Sequence, residues 1–247
     1  MESEKTYAWE QSRSSAEVIV PLVLKFVKPK SVVDIGCGAG TWLSVFRTHG
    51  ATSIFGIDAG KYDSAKRVIA EKEYRAHNLE TPLNLGRTVD LAVSLEVAEH
   101  LDTSAAHIMV DNLVRLAPVI LFSAAIPHQG GVHHVNEQWS EYWEKLFASR
   151  GYVPVDCIRR HIWNNEKVQF WYKQNTLMYV KKDQLGKYPA LKAEIESGHG
   201  EALALVHPFK YVYFAERWEA IVPILGRIPP SVLHFGKKMM ALIKGRK

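Results

Sequence analysis

The 247-residue chain has only two cysteines, Cys37 and Cys157, and no apolar run that approaches the roughly 20 residues of a membrane-spanning helix. Two cysteines are too few for a disulfide framework, so the composition indicates a reducing compartment. The first ten residues also lack the basic and apolar regions of a secretory signal peptide. These absences together predict a cytoplasmic protein that is stabilised by an apolar core.

A large excess of one charge is also missing, since 31 basic and 26 acidic residues leave a net charge of +5. Part of that excess lies in residues 232–247, where lysines alternate with apolar side chains. Such a segment either lies on an anionic membrane surface as an amphipathic helix or packs against the core, and packing is the prediction. The rest of the chain lacks a concentrated basic stripe, so nucleic acid is not expected as a partner.

Strand-like and helix-like segments alternate from residue 16. A helix is predicted over residues 16–27, with an interruption at Pro21, and further helices over 41–49 and 103–116. Apolar, β-branched runs predict strands at residues 31–35, 53–58, 74–79, 90–96 and 119–124. Near-continuous apolar strands that alternate with helices are typical of a doubly wound α/β fold with a mostly parallel sheet.

The pattern changes after Pro127. A loop rich in glycine and histidine leads to a predicted helix over residues 138–150, and two strands follow at 152–157 and 175–180. From Lys181 the chain is predicted to be helical, with breaks at its prolines. We therefore expect a main domain over residues 1–182, whose N-terminal segment forms a lid, and a helical extension over residues 183–247.

The strongest signal for a binding site is the sequence DIGCGAG over residues 34–40. Glycines at alternate positions after a strand let the backbone turn sharply and approach a ligand closely, and the next helix directs free N–H groups to the same place. The third glycine comes one residue earlier than in the NAD-binding pattern, and Thr41 takes its place. Asp34 adds a carboxylate that would repel a pyrophosphate and attract an ammonium group.

A second signal is Asp58, which ends the second predicted strand about 20 residues after the glycine loop. A carboxylate at this position accepts hydrogen bonds from ribose hydroxyl groups in nucleotide-binding folds. An aspartate that only begins a turn is the alternative. The glycine loop before it favours the ribose role.

Three segments together resemble the motifs of class I S-adenosylmethionine-dependent methyltransferases: VVDIGCGAG from residue 32, GID from residue 56 and VSLEVAEHL from residue 93. The resemblance covers residues 16–182. It implies a Rossmann-like, seven-stranded sheet whose last strand is antiparallel, and S-adenosylmethionine as the cofactor.

The resemblance also implies roles for individual residues. Gly36, Gly38 and Gly40 would hold the methionine end beside Asp34, and Tyr62 would cover the adenine. Where the family usually has an Asp-Leu pair at the adenine edge, this chain has Asn78 and Leu79, so an acceptor oxygen is kept without its charge. The remaining implied cofactor contacts are Cys37, Trp42, Ala59, Leu95, Glu96, Val97 and His100.

The acceptor side is predicted from HVNEQW over residues 134–139, which resembles a signature of bacterial methyltransferases from glycan and natural-product pathways. His134 is the candidate general base, because histidine exchanges protons near neutral pH. A turn residue is the alternative for His134, and a helix-packing residue is the alternative for His100. A metal held by His133, His134 and Glu137 is not expected, since their spacing matches no standard zinc pattern.

These observations predict a methyltransferase that acts on a hydroxyl group of a sugar, a glycan or a small natural product. N-methylation of a small amine and a binding subunit without catalysis are the alternatives. Large apolar residues recur at helical spacing in the helix predicted after this loop and predict a stripe that faces the core. They are Trp139, Tyr142, Trp143, Leu146 and Phe147. Trp163, Trp171 and Tyr172 lack that spacing and are candidates for the wall of the acceptor pocket. The oligomeric state has no signal in the sequence.

Overall fold

The computed structural model describes residues 2–60, 64–198 and 203–225. The chain divides into two compact units, Met1–His207 and Pro208–Lys247. The first unit contains seven strands: β1 (Ser31–Ile35), β2 (Ser53–Asp58), β3 (Tyr74–Ala76), β4 (Leu91–Leu95), β5 (Val119–Ser123), β6 (Tyr152–Val155) and β7 (Leu177–Lys181). Its helices are α1 (Glu2–Phe26), α2 (Thr41–Thr48), α3 (Ala106–Leu116), α4 (Ser140–Ala148), α5 (Arg159–Ile162), α6 (Phe170–Asn175) and α7 (Pro189–Glu196).

The strands form one sheet in the order β3-β2-β1-β4-β5-β7-β6. Strands β1 to β5 run parallel to one another, whereas β7 is antiparallel to both of its neighbours, β5 and β6. The Rossmann-like, seven-stranded α/β fold with an antiparallel last strand is thereby confirmed. The order reverses between β1 and β4, and open α/β sheets bind ligands at such a switch point, beyond the carboxyl ends of the strands.

Alternate residues of the central strands belong to two separate cores. Val32 and Leu91 pack with α1 and α2 on one face of the sheet, while Val33 and Ala92 pack with α3 and α4 on the other. Successive side chains of a strand point to opposite faces. Strands that are apolar at every position are therefore buried on both sides, as the sequence predicts.

The predictions for one helix and one strand differ from the structure. Helix α1 continues through Pro21 without a break, because Ile19, Val20 and Val23 are fully buried on both sides of the proline. Their packing outweighs a residue that costs about 3 kcal/mol in an isolated helix. Strand β3 is three residues long instead of six, since its partner β2 ends at Asp58, the residue aligned with Ala76.

The boundary between the units lies after His207 rather than near residue 182. Helix α7 buries Leu191 in the first core, and Leu203 lies in the second. The guanidinium of Arg159 donates a hydrogen bond from Nη1 to the carbonyl oxygen of Leu203 at 2.7 Å. These contacts join residues 183–207 to the sheet, although their composition resembles that of the helical extension.

In the second unit the structure describes one helix, α8 (Pro208–Leu225). Within this helix Arg217 donates a hydrogen bond to the hydroxyl of Tyr213 at 2.7 Å. Among the helices of the described residues, none combines the length and the apolarity that crossing a membrane requires. The predicted packing of residues 232–247 falls outside the part of the chain that the structure describes.

Candidate functional site

The carboxyl ends of β1, β2 and β4 lie side by side at one edge of the sheet. Asp34 of β1 is aligned with Gly56 of β2 and with Val93 of β4. Loops that follow parallel neighbouring strands leave the sheet at the same edge. The structure therefore brings together the glycine loop, Asp58 and the segment after β4.

The glycine loop has a left-handed backbone at all three glycines, with φ of 85° at Gly36, 52° at Gly38 and 85° at Gly40. A Cβ atom at Gly36 would lie 2.3 Å from Cγ2 of Val97. Any side chain at Gly36 would therefore collide with the segment after β4, besides straining the backbone. Helix α2 begins directly after Gly40, so its free N–H groups lie next to the loop.

Asp58 links the end of β2 to this loop. Its Oδ2 accepts a hydrogen bond from the backbone N–H of Gly38 at 2.8 Å. A carboxylate has room for about four hydrogen bonds. The remaining capacity is available for the hydroxyl groups of a ligand.

Asp34 is a buried carboxyl group, with 3% of its surface exposed. Among the described residues it belongs to no ion pair. Burial, with the charge of Asp58 as a second cause, raises the pKa of Asp34 from 3.8 to about 8. A cationic group next to Asp34 would favour its ionised form and lower that pKa.

Several residues that the resemblance implies as cofactor contacts are core residues in the structure. Cys37 is buried in the first core with Trp42 and Leu95, and the ring of Trp42 contacts that of Tyr172 edge-on at 5.2 Å between centroids. Leu79 is buried in the second core. The side chain of Trp42 thus contributes to the packing of α2, and its contact with the cofactor stays a prediction.

The predicted adenine side is open. Ala59 and Asn78 are exposed, and Oδ1 of Asn78 accepts a hydrogen bond from the backbone N–H of Glu80 at 3.0 Å. This bond takes part of the acceptor capacity that the sequence assigned to the adenine. Tyr62 lies outside the described residues.

Glu96, directly after β4, has a left-handed backbone with φ of 55°. Its carboxylate accepts hydrogen bonds from Nε2 of Gln129 at 2.8 Å and Nδ2 of Asn175 at 3.1 Å. Burial is the largest cause of a raised pKa for Glu96. A left-handed residue other than glycine costs about 1–3 kcal/mol and persists only where its surroundings hold it, as the two amides do here.

The amides around Glu96 form a buried network that the sequence analysis missed. Gln174 donates from Nε2 to Oδ1 of Asn175 at 3.0 Å, and Asn175 donates to Oε1 of Gln129 at 2.8 Å. All three side chains are at most 5% exposed. A sequence signal did exist, because Gln174 and Asn175 are two amides that directly precede an apolar strand.

Two segments distant in the sequence meet after β4. Glu99, His100 and His134 each offer one donor atom, and these atoms lie within 4.8 Å of one another. The rings of His100 and His134 contact edge-on, with centroids 4.8 Å apart. The backbone N–H groups of Val135 and Asn136 donate to the carbonyl oxygen of Glu99 at 2.9 and 3.0 Å, which joins the two segments.

Glu137 orients His134. Nδ1 of His134 lies 3.0 Å from Oε1 of Glu137, and the same carboxylate accepts backbone hydrogen bonds from His128 at 2.7 Å and Gly130 at 2.9 Å. The loop is packed closely here, since a Cβ atom at Gly131 would lie 2.2 Å from Nε2 of His134. His134 is therefore fixed through Nδ1, whereas the neighbouring His133 is exposed.

The aromatic residues of this half divide between core and surface. Trp143 and Phe147 are buried, which confirms the core stripe of α4 at these two positions, while Trp139 is 43% exposed. Tyr172 belongs to the first core and Trp171 packs against it. Tyr172 therefore contributes to the core, and a role of these aromatic residues in the wall of an acceptor pocket stays a prediction.

Comparisons with known proteins agree with this arrangement. A family model described as a methyltransferase domain matches residues 8–155, more than half of the chain. Among curated proteins no significant match exists. The magnesium protoporphyrin IX methyltransferase of Synechocystis PCC 6803, solved with bound S-adenosylmethionine, is 19% identical over 70% of this chain and 80% of that chain, with a TM-score of 0.50.

Two further solved structures resemble the chain less closely. DesVI of Streptomyces venezuelae is 19% identical over 52% of this chain, with a TM-score of 0.44, and the match spans only 58% of DesVI. The sugar N-methyltransferase KedS8 of Streptoalloteichus sp ATCC 53650 is 14% identical over 68% of this chain and 87% of that chain, with a TM-score of 0.49. Because its sheet order, glycine loop and family match agree, the chain belongs to the methyltransferase-domain family and is a class I methyltransferase with S-adenosylmethionine as its cofactor.

Proposed function

We propose that the protein methylates a hydroxyl oxygen of a sugar, a glycan or a small natural product. The observation that carries this proposal is the pair of His134 and Glu137, which lies at the same sheet edge as the glycine loop. A hydroxyl group must lose its proton as it is methylated. A histidine that is oriented by a carboxylate is suited to that task near neutral pH.

The acidic character of the edge fits S-adenosylmethionine. Asp34, Asp58, Glu96 and Glu99 all lie at the ends of β1, β2 and β4. The ligand carries two cationic groups, an ammonium and a sulfonium, whereas a dinucleotide carries an anionic pyrophosphate. These four acidic groups favour the cationic ligand, because a neighbouring cation stabilises their ionised forms whereas an anion does not.

Different residues of the chain contact different parts of the cofactor. Asp34 pairs with the ammonium group, and Asp58 accepts hydrogen bonds from the ribose. The loop from Gly36 to Gly40 lets the backbone approach the methionine end. Tyr62 covers the adenine, and Asn78 contacts its edge with the remaining lone pair of Oδ1. When bound, the cofactor supplies a methyl group that is already activated by the sulfonium.

The acceptor side has two tasks, alignment and removal of a proton. Alignment of reacting groups alone contributes up to about 7–11 kcal/mol, and a positioned base adds about 10²–10⁴-fold. Glu137 fixes the ring of His134 through Nδ1, which leaves Nε2 as the nitrogen that acts on the acceptor. His134 is therefore the residue on which turnover should depend most.

Replacement of His134 tests this role. In His134→Ala we expect S-adenosylmethionine to bind with nearly unchanged affinity in calorimetry, because the residues proposed to hold the cofactor belong to other loops. Formation of S-adenosylhomocysteine should fall by about 10²–10⁴-fold. The matched control is His133→Asn, since His133 is an exposed neighbour with φ of 61°, a conformation that asparagine tolerates. Equal losses in both variants would contradict a specific role for His134.

N-methylation of a small amine is the second candidate, and one observation favours it. The buried carboxyl groups of Glu96 and Glu99 lie beside His134, and they would attract a cationic amine as readily as they would attract the cofactor. A panel of sugars, phenols and amines, with the product's mass and linkage determined, distinguishes the two. If the original protein turns over a substrate and His134→Ala does not, the protein is not a binding subunit without catalysis.

A further inference from the structure

Glu99, His100 and His134 form what we call the EHH cluster, and its donor set is that of a metal site. Two imidazoles and one carboxylate offer their donor atoms within 4.8 Å of one another. Ligands at the zinc distances of about 2.0–2.2 Å lie at most about 4.4 Å apart, so a small closure of the cluster suffices. The residues come from two segments, which is why no zinc-like spacing occurs in the sequence.

Glu99 provides an independent observation. It is 1% exposed, and neither carboxylate oxygen makes a hydrogen bond of good distance and angle among the described residues, although the backbone of Ala125 and the carboxyl group of Glu96 lie close enough to influence its pKa. Burial and the neighbouring charge of Glu96 both disfavour its ionised form. A buried carboxylate is costly unless it is paired or coordinates a cation, and among the described residues two histidines offer donor atoms beside it.

The surroundings of His134 match those of a metal ligand. Histidines that bind metals usually donate their second ring N–H to a carboxylate, which fixes the tautomer and the ring. Glu137 accepts at Nδ1 of His134, and its carboxylate is held by the backbone N–H groups of His128 and Gly130. Nε2 is then the nitrogen that is free for a cation.

The cluster is closed on one side and open on the other. Glu99 is buried, His134 is partly buried and His100 is exposed. Three protein ligands with open remaining positions are typical of catalytic metal sites, whereas structural sites are closed by four. A cation here would have a free position toward the solvent, where an acceptor enters.

We propose that Glu99, His100 and His134 bind one divalent transition-metal cation, Zn²⁺ or Mn²⁺, which holds the acceptor hydroxyl. The binding stands alone, whereas its chemical role rests on the proposed O-methylation. With the cation bound, Nε2 of His134 is a ligand and no longer the base that takes the proton. The cation instead lowers the pKa of the hydroxyl oxygen that it binds, so the hydroxyl proton passes to water. The oxygen–carbon bond then forms as the carbon–sulfur bond breaks, and the sulfur leaves as a neutral thioether.

The test measures metal binding without cofactor or acceptor. Tag-free, full-length protein is stripped with a chelator and titrated by calorimetry with Zn²⁺ alone and, separately, with Mn²⁺ alone. We expect one equivalent to bind. Loss of a residue that hydrogen-bonds a metal ligand weakens metal binding by about 10–100-fold. Loss of a ligand itself should weaken it at least as much, in each of Glu99→Gln, His100→Ala and His134→Ala. In Glu137→Gln the affinity for the cation should decrease by that same factor, because Glu137 hydrogen-bonds His134. In His133→Asn the affinity should equal that of the original protein.

The variants are compared by circular dichroism and thermal unfolding, so that a fold defect is recognised. Glu99→Gln preserves shape and is the safest of the three. Absent binding, or binding that is unchanged in Glu99→Gln and His100→Ala, would overturn the metal site. Binding that His133→Asn also removes would overturn it too.

The two proposals fail in different ways. If activity toward a hydroxyl survives both chelation and Glu99→Gln, the metal site is wrong and His134 acts as a base without a metal. If the cation binds as expected but only amines are methylated, the O-methyltransferase proposal is wrong and the metal site stands.

Discussion

At the scale of the residue, the acidic edge holds protons that a bound cation would release. Asp34 has a pKa raised to about 8, so in the free protein it is mostly protonated at pH 7. An ammonium group next to it stabilises the carboxylate and lowers this pKa. Binding of S-adenosylmethionine at pH 7 should therefore release close to one proton from this group.

Calorimetry in buffers of different ionisation enthalpy measures that proton. Asp34→Asn is the matched variant, because it keeps the size of the side chain and cannot release a proton. We expect the variant to bind the cofactor more weakly and with little proton release. Release of the same number of protons from both proteins would remove Asp34 from the cofactor site.

The same shift predicts a dependence of stability on pH. The pKa of Asp34 is higher in the folded protein, at about 8, than its ordinary value of 3.8, so the folded state takes up a proton between these two values. Its contribution to stability is full below about pH 4 and is lost as the pH rises toward 8. Thermal unfolding of the free protein should show a smaller decrease between pH 5 and 8 in Asp34→Asn than in the original chain.

Asp58 has two partners to lose, the N–H of Gly38 and the proposed ribose. Asp58→Ala should weaken the binding of S-adenosylmethionine, because each hydrogen bond to a charged group contributes about 1.5–3 kcal/mol. Asp58→Asn keeps an oxygen for Gly38 and should lose less. Calorimetry measures both affinities, and an unchanged affinity in Asp58→Ala would exclude the ribose role.

At the scale of the element, the glycine loop and the segment after β4 are fitted to each other. Gly36→Ala would add a Cβ atom 2.3 Å from Val97 at a φ of 85°. Strain of about 1–3 kcal/mol would then combine with an overpacking cost of about 1–3 kcal/mol. Gly50→Ala is the control, since Gly50 has φ of 99° and no atom within 4 Å of its Cβ position.

Chemical denaturation should therefore show a larger loss of stability for Gly36→Ala than for Gly50→Ala. The difference between the two isolates the contact with Val97 from backbone strain. Equal losses would mean that the loop moves away from Val97 freely, and the close fit between the two segments would not matter for stability.

The elements themselves follow from the sequence to different degrees. Strands such as β1 and β5 are predicted well, because apolar residues at every position are typical of a strand buried on both faces. The interruption expected at Pro21 is wrong, because the helix propensity of proline takes no account of the packing of α1 against the sheet. The prediction of β3 is too long, because the strand ends where its partner β2 ends, and a local pattern in residues 74–79 carries no information about that partner.

At the scale of the whole molecule, the sequence predicts one half of the site better than the other. Asp34 and Asp58 lie near the carboxyl ends of two neighbouring strands, and Gly36 directly follows the first of them, so the fold alone brings the three together. The EHH cluster joins the turn after β4 to a loop more than 30 residues later in the sequence. Glu99 and His134 come together only in the folded chain, so no local pattern predicts their contact. The extent of the first unit is missed for the same reason, since Leu191 and Leu203 are buried by distant partners.

One labelled reaction tests most directly whether the protein methylates a hydroxyl oxygen and needs His134 to do so. The protein is incubated with S-adenosylmethionine that carries a ¹³C-labelled methyl group and with a panel of sugars, phenols and amines, and the labelled product is examined by mass spectrometry and NMR. We expect a labelled methyl group on oxygen, formed together with S-adenosylhomocysteine and lost in His134→Ala. A methyl group found only on nitrogen, or transfer that His134→Ala leaves intact, would contradict it.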